Sequence, residues 1–150
     1  MKINDQVKVS RFQNQWHKAT VNILFTNHWL SKELESRAVR KDITLQQFNV
    51  LRILRGQFPK AVSNTLVKER MINSTPDISR LVERIVLKGL VNRTQSKNDK
   101  RSVDLIITDK GIQLLETLEE EMLLGDILFK NISEEEALQL SDLLDKLRGE

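Results

Sequence analysis

Cysteine is absent from the 150-residue sequence, which excludes disulfides, thiolate metal sites and thiol-based redox sensing within the chain. No apolar run approaches the roughly 20 residues of a membrane helix, and residues 1–20 contain neither an apolar h-region nor a cleavage site. Export, anchoring and a membrane partner are therefore not expected, and the expected location is cytoplasmic. Histidine is scarce: His17 and His28 stand 11 positions apart without HxxxH or HExxH spacing, so no metal site is expected. Glu83, Glu134, Glu135 and Glu136 have no partner acid, nucleophile or phosphate loop nearby in the sequence. They read as surface and capping groups, so neither an enzyme nor a cofactor is expected. Internal repeats and low-complexity segments are also missing.

What is present is charge, unevenly spread. Residues 1–110 carry a net charge of +11 and residues 111–150 a net charge of −8. A polyanion-binding module followed by a non-binding helical segment has this pattern, although a solvated surface also carries scattered charge. The length fits one domain spanning 1–150.

Apolar periodicity predicts mainly helices. Val9, Phe12, Trp16, Ala19, Ile23 and Leu30 mark a long helix over about 8–38, with Leu24, Phe25 and Trp29 widening its stripe enough to serve both its own domain and a second subunit. Aromatics at helical spacing are usually core, so Trp16, His17, His28, Trp29 and Phe48 are read as core residues, with lining a pocket as the other possibility. Thr44 and Gln47 form a capping box, with Ile43 stapling to Phe48, and start a helix that ends near Gly56. A short helix runs from Ser63 to about Arg70. The next, over about 76–88, has Thr75 as cap, Pro76 at the first helical position and Gly89 as its left-handed stop. Its inner face is Ile78, Leu81, Val82 and Ile85, which turns Pro76, Ser79, Arg80 and Glu83 outward.

Two extended runs, Leu90–Thr94 and Ser102–Ile107, bracket a polar loop at 95–101. Thr108 caps a long helix that fades near Lys130. A Ser133/Glu136 capping box then opens a last helix with Leu140, Leu143, Leu144 and Leu147 on its apolar face. The fold class is thus mainly α with a small β-hairpin (α+β).

Helix, short helix, turn, helix and a hairpin with a basic tip is the order of a winged helix-turn-helix. A helix held by its inner face can lay its N-terminal end in a major groove, where Ser74, Thr75, Ser79, Arg80 and Arg84 are the candidate contacts. Lys97, Lys100 and Arg101 on the wing tip can reach phosphates and an adjacent minor groove. Asp99 can orient Arg101 through a bidentate pair, or shape the turn.

Three runs carry a resemblance to a known family: Ile78-Ser79-Arg80-Leu81-Val82-Glu83-Arg84-Ile85 with Lys88-Gly89-Leu90-Val91 and Arg93; Asp99-Lys100-Arg101; and Leu105-Ile106-Ile107-Thr108-Asp109-Lys110-Gly111. On these, residues 44–115 resemble the MarR family of transcriptional regulators. The resemblance implies a winged helix-turn-helix at about 44–110, with helices at 8–38 and 109–148 forming a dimer interface. It implies a homodimer that binds duplex DNA at a pseudo-palindromic operator, commonly as a repressor relieved by a small, often aromatic, effector. Without cysteine, the thiol-oxidation switch of some MarR-like proteins is not available to this chain. The alternative is a winged-helix module that makes protein contacts without DNA, against which Arg101 and the basic wing argue.

Overall fold

The computed structural model describes residues 2–8, 11–73 and 77–149. In chain order the elements are α1 (Ile3–Gln6), α2 (Gln15–Val39), α3 (Leu45–Gln57), β1 (Val62–Ser63), α4 (Asn64–Arg70), α5 (Ile78–Leu87), β2 (Val91–Gln95), β3 (Val103–Ile107), α6 (Asp109–Met122), α7 (Gly125–Asn131) and α8 (Glu134–Arg148). The mainly helical α+β expectation holds.

Local capping explains most boundaries. Thr44 and Gln47 form the reciprocal capping box of α3, and Ser133 and Glu136 that of α8. Ser63 caps α4 and Thr108 caps α6, each side chain accepting a backbone N–H from the first turn. At the end of α5, Gly89 adopts φ 72°. Its N–H bonds the Val86 carbonyl at 2.9 Å, and the Leu90 N–H bonds the Ile85 carbonyl at 3.1 Å. These two bonds form a Schellman motif, in which the left-handed residue is naturally glycine.

The core lies where α3, α4, α5 and α6 meet the sheet. Phe48, Leu51, Leu54, Val67, Val82, Ile85, Leu105, Leu115 and Leu118 are buried there together. Among the described residues the sheet is antiparallel in the order β1-β3-β2, with Val62 opposite Leu105 and Val91 opposite Ile107. The sequence reading found the β2–β3 hairpin to within one residue at each strand start but missed β1. Two residues carry no periodicity, and β1 is a strand only because β3 pairs with it.

Three further expectations are corrected. The first long helix starts at Gln15, not near residue 8: Asn14 is extended and its side chain accepts the His17 N–H at 2.8 Å, so capping ends the helix there despite the apolar spacing upstream. Val9 lies outside the described residues. The helix expected to run on to about Lys130 breaks at Leu124, which takes φ 54° with its side chain buried, and the chain continues as α7. Finally, of the aromatic and histidine residues read as core, only Phe48 belongs to it. Trp16 is 81 % exposed, His28 is exposed, and His17 and Trp29 are half-buried. Part of the α2 stripe is covered within the subunit, where buried Ile3 of α1 lines a pocket with Phe25 and Trp29, whereas Trp16 and Leu24 remain exposed. Leu140, Leu143 and Leu147 on α8 are exposed as well.

Candidate nucleic-acid interface

The inner face of α5 is Leu81, Val82 and Ile85, all buried, while Ser79, Arg80, Glu83 and Arg84 are exposed. This split follows from the 3–4 spacing of the apolar residues. The helix begins later than expected. Asp77 caps it by accepting the Arg80 N–H at 3.1 Å, whereas Ser74, Thr75 and Pro76 lie outside the described residues. The Arg80 guanidinium Nε stands 3.8 Å from the other Asp77 oxygen. Asp77 therefore shapes the end of the helix that carries the candidate contacts, and the sequence reading passed over it. An acid directly before Ile78 was the available signal. Arg84 sits one turn further along, beside Val39, Ile43 and Leu87 in an open cleft of about 480 Å³.

The other end of α5 is clamped from two sides. The Lys88 ammonium donates to the Asp42 carbonyl and lies 3.6 Å from the Asp42 carboxylate. Asp42 has φ 58° and forms the corner between α2 and α3. On the opposite side the Thr108 hydroxyl donates to the Gly89 carbonyl at 2.7 Å, and Lys110 donates to the Lys88 carbonyl at 2.9 Å. Helix and hairpin are thus held as one unit through residues 88–90 and 108–110.

The wing tip is a compact hydrogen-bonded loop. The Ser96 N–H bonds the Ser102 carbonyl, and the Ser102 N–H bonds the Asp99 carbonyl, both at 3.0 Å. The Gln95 side chain donates to the Lys100 carbonyl at 2.7 Å. Asp99 accepts the backbone N–H of Arg101 at 2.9 Å. Of the two roles foreseen for Asp99 the structure has the turn-shaping one, because the bidentate pair with the Arg101 guanidinium is not formed. Lys97, Lys100 and Arg101 are exposed, and among the described residues none of them is in an ion pair. Three unneutralised cations on one loop, next to a helix with outward Ser79 and Arg80, make a surface suited to a polyanion.

A helix pair closed by a strand hairpin with a projecting loop defines a winged helix-turn-helix protein. Residues 43–103 match the MarR family. The chain is 31% identical over 122 residues to the HTH-type transcriptional regulator PecS of Dickeya dadantii, covering 79% of this chain and 72% of that protein. It is 28% identical over 119 residues to the transcriptional repressor MdtR of Bacillus subtilis, covering 79% and 76% respectively. Among solved structures, a mutant of Escherichia coli MarR in complex with operator DNA superposes with a TM-score of 0.76 at 27% identity, covering 92% of this chain and 99% of that one. The chain belongs to the MarR family of transcriptional regulators.

Proposed function

We propose that this protein binds duplex DNA sequence-specifically as a homodimer on a pseudo-palindromic operator and represses transcription there. The observation that carries the reading is the exposed face of α5, with Ser79, Arg80 and Arg84, beside an unneutralised cationic wing tip. Side chains of the first turns of α5 read base edges in the major groove, joined by Ser74 and Thr75. Arg101 enters the flanking minor groove, and Lys97 and Lys100 contact phosphates, positioned by the turn that Asp99 closes.

The homodimer is supported by the apolar side chains left uncovered on α2 and α8, Leu24, Leu140, Leu143 and Leu147 among them. In this reading 1–150 is one domain, in which α2 and the helices α6 to α8 pair two winged regions at about 44–110. A small effector, of the aromatic type the family resemblance implies, loosens the complex. The cleft between the end of α2 and the end of α5, about 480 Å³, is of small-molecule size. The protein acts in the cytoplasm and has no catalytic role of its own. No helix among the described residues is long and apolar enough to cross a membrane.

Selection of bound fragments from random duplex DNA tests the proposal. It should enrich an inverted repeat whose half-sites lie about one helical turn apart. Failure to enrich any sequence would contradict the reading and favour a module for protein contacts.

A further inference from the structure

Arg37, near the end of α2, is only 7 % exposed, and among the described residues it and Gln47 are the buried polar ones. Its Nη1 donates to the Glu121 carbonyl at 2.6 Å and to Asp126 Oδ1 at 2.8 Å, and its Nη2 donates to Asp126 Oδ2 at 2.9 Å. Glu121 is in the last turn of α6, and its carbonyl also accepts the Leu124 N–H at 3.2 Å. Asp126 is in the first turn of α7. One guanidinium thus holds the end of one helix and the start of the next, with left-handed Leu124 between them. Arg40, directly after α2, pairs with the Glu121 carboxylate at 3.2 Å. A planar, bidentate pair fixes direction as well as distance.

The helices beyond this corner have little else to orient them. Neither α7 nor α8 has a buried residue among those described. Ile127 and Leu128 of α7 are only half-buried, so packing within the subunit constrains these helices weakly, and the Arg37–Asp126 pair adds a directional hold. The Asp126 side chain remains 58% exposed, so the pair can open without the winged core unfolding.

We propose that Arg37 and Asp126 are positioning residues for operator recognition: their pair sets the direction in which α7 and α8 leave the winged region, and through the dimer interface it sets the separation of the two wings. The inference rests on the homodimeric DNA-binding reading above. It goes beyond that reading in assigning the spacing of the two half-site readers to one ion pair remote from DNA.

Because the chain has no cysteine, Asn98→Cys on the wing tip places one spin label on each protomer. Pulsed electron resonance on the whole 150-residue chain then reads the distance between the two wings directly. The labelled reference protein should give one narrow distribution. Asp126→Asn, which keeps the shape and loses the charge, should broaden it markedly, and Asp126→Glu should restore much of the narrowing. If only a minor fraction of dimers then holds the competent separation, affinity for the selected operator falls roughly fivefold or more. Discrimination against duplexes with one base pair added between half-sites falls with it. Thermal unfolding and sedimentation should show Asp126→Asn folded and dimeric. Identical distributions and identical spacing discrimination in the reference and Asp126→Asn proteins would overturn the proposal. A reference protein that selects no duplex, but whose narrow distribution broadens in Asp126→Asn, would refute DNA binding while supporting the role of the corner.

Discussion

The carboxylate of Asp99 accepts the backbone N–H of Arg101 at 2.9 Å, closing a turn at the tip of the wing. Its negative charge is incidental to that bond, since any side-chain oxygen two residues before the N–H can form it. Asp99→Asn should therefore keep operator affinity close to that of the wild type. Asp99→Ala should lose about 0.5–1.5 kcal/mol as the tip loosens. Titration of the two variants on one duplex separates the roles. Equal damage from both would mean that the carboxylate charge, not the turn, is what binding needs.

The cap of α5 is the Asp77 side chain, which accepts the Arg80 N–H. Asp77→Ala should lower stability by about 1 kcal/mol, while Asp77→Ser, which keeps an oxygen acceptor, should lose much less. Urea unfolding of the three proteins at neutral pH checks this. Equal stability of wild type and Asp77→Ala would show that the cap contributes nothing.

Gly111 sits where α6 leaves β3, and a Cβ there would lie 2.4 Å from the Leu90 carbonyl oxygen and 2.7 Å from Ile107 Cγ1. The first obstacle is backbone, which cannot swing aside. Gly111→Ala should therefore cost about 1–3 kcal/mol, as overpacked core sites do. A fall in melting temperature for Gly111→Ala, absent in the exposed neighbour substitution Asp109→Ala, is the expected result.

The Asp126 carboxyl is held below the usual carboxylate range, chiefly by its hydrogen bonds from Arg37 and further by the charge of that guanidinium. A depressed carboxyl pKa stabilises the folded state above the unfolded value, and that contribution is lost as pH falls through the folded value. The pair is therefore fully formed at neutral pH and opens only in acid, below the ordinary range. Carbon-detected NMR titration of Asp126 should show this low midpoint. In Arg37→Ala it should rise toward that of a free aspartate.

Elements whose signals are local could be read from the sequence. The Thr44/Gln47 and Ser133/Glu136 boxes, the Thr108 cap and the Gly89 stop each need only neighbours within a few positions. The 3–4 spacing of Leu81, Val82 and Ile85 likewise fixed which face of α5 is outward. What escaped depends on distant partners. The break at Leu124 is held by Arg37, whose bond to Glu121 spans 84 positions, and β1 exists only against Leu105 and Asp104. Trp16 was misread for a related reason, because an apolar stripe does not say whether its cover comes from the same chain or from another. At the wing the sequence left Asp99 a choice between a guanidinium and a backbone N–H, and only loop geometry decides between them.

If α5 and the wing bind DNA together, titration of Arg101→Ala must show it. Arg101 is exposed on a polar loop, so its truncation should change stability by no more than about 0.5 kcal/mol. On the selected operator Arg101→Ala should cost on the order of 1–3 kcal/mol per subunit and reduce the preference for A·T-rich flanks, with Arg101→Lys recovering only part. Lys97→Ala and Lys100→Ala, measured in the same salt series, should weaken binding alike on all duplexes and lower the salt slope by about one unit each. An Arg101→Ala protein that is folded, dimeric and unchanged in operator affinity would contradict the account, because the wing would then not touch DNA.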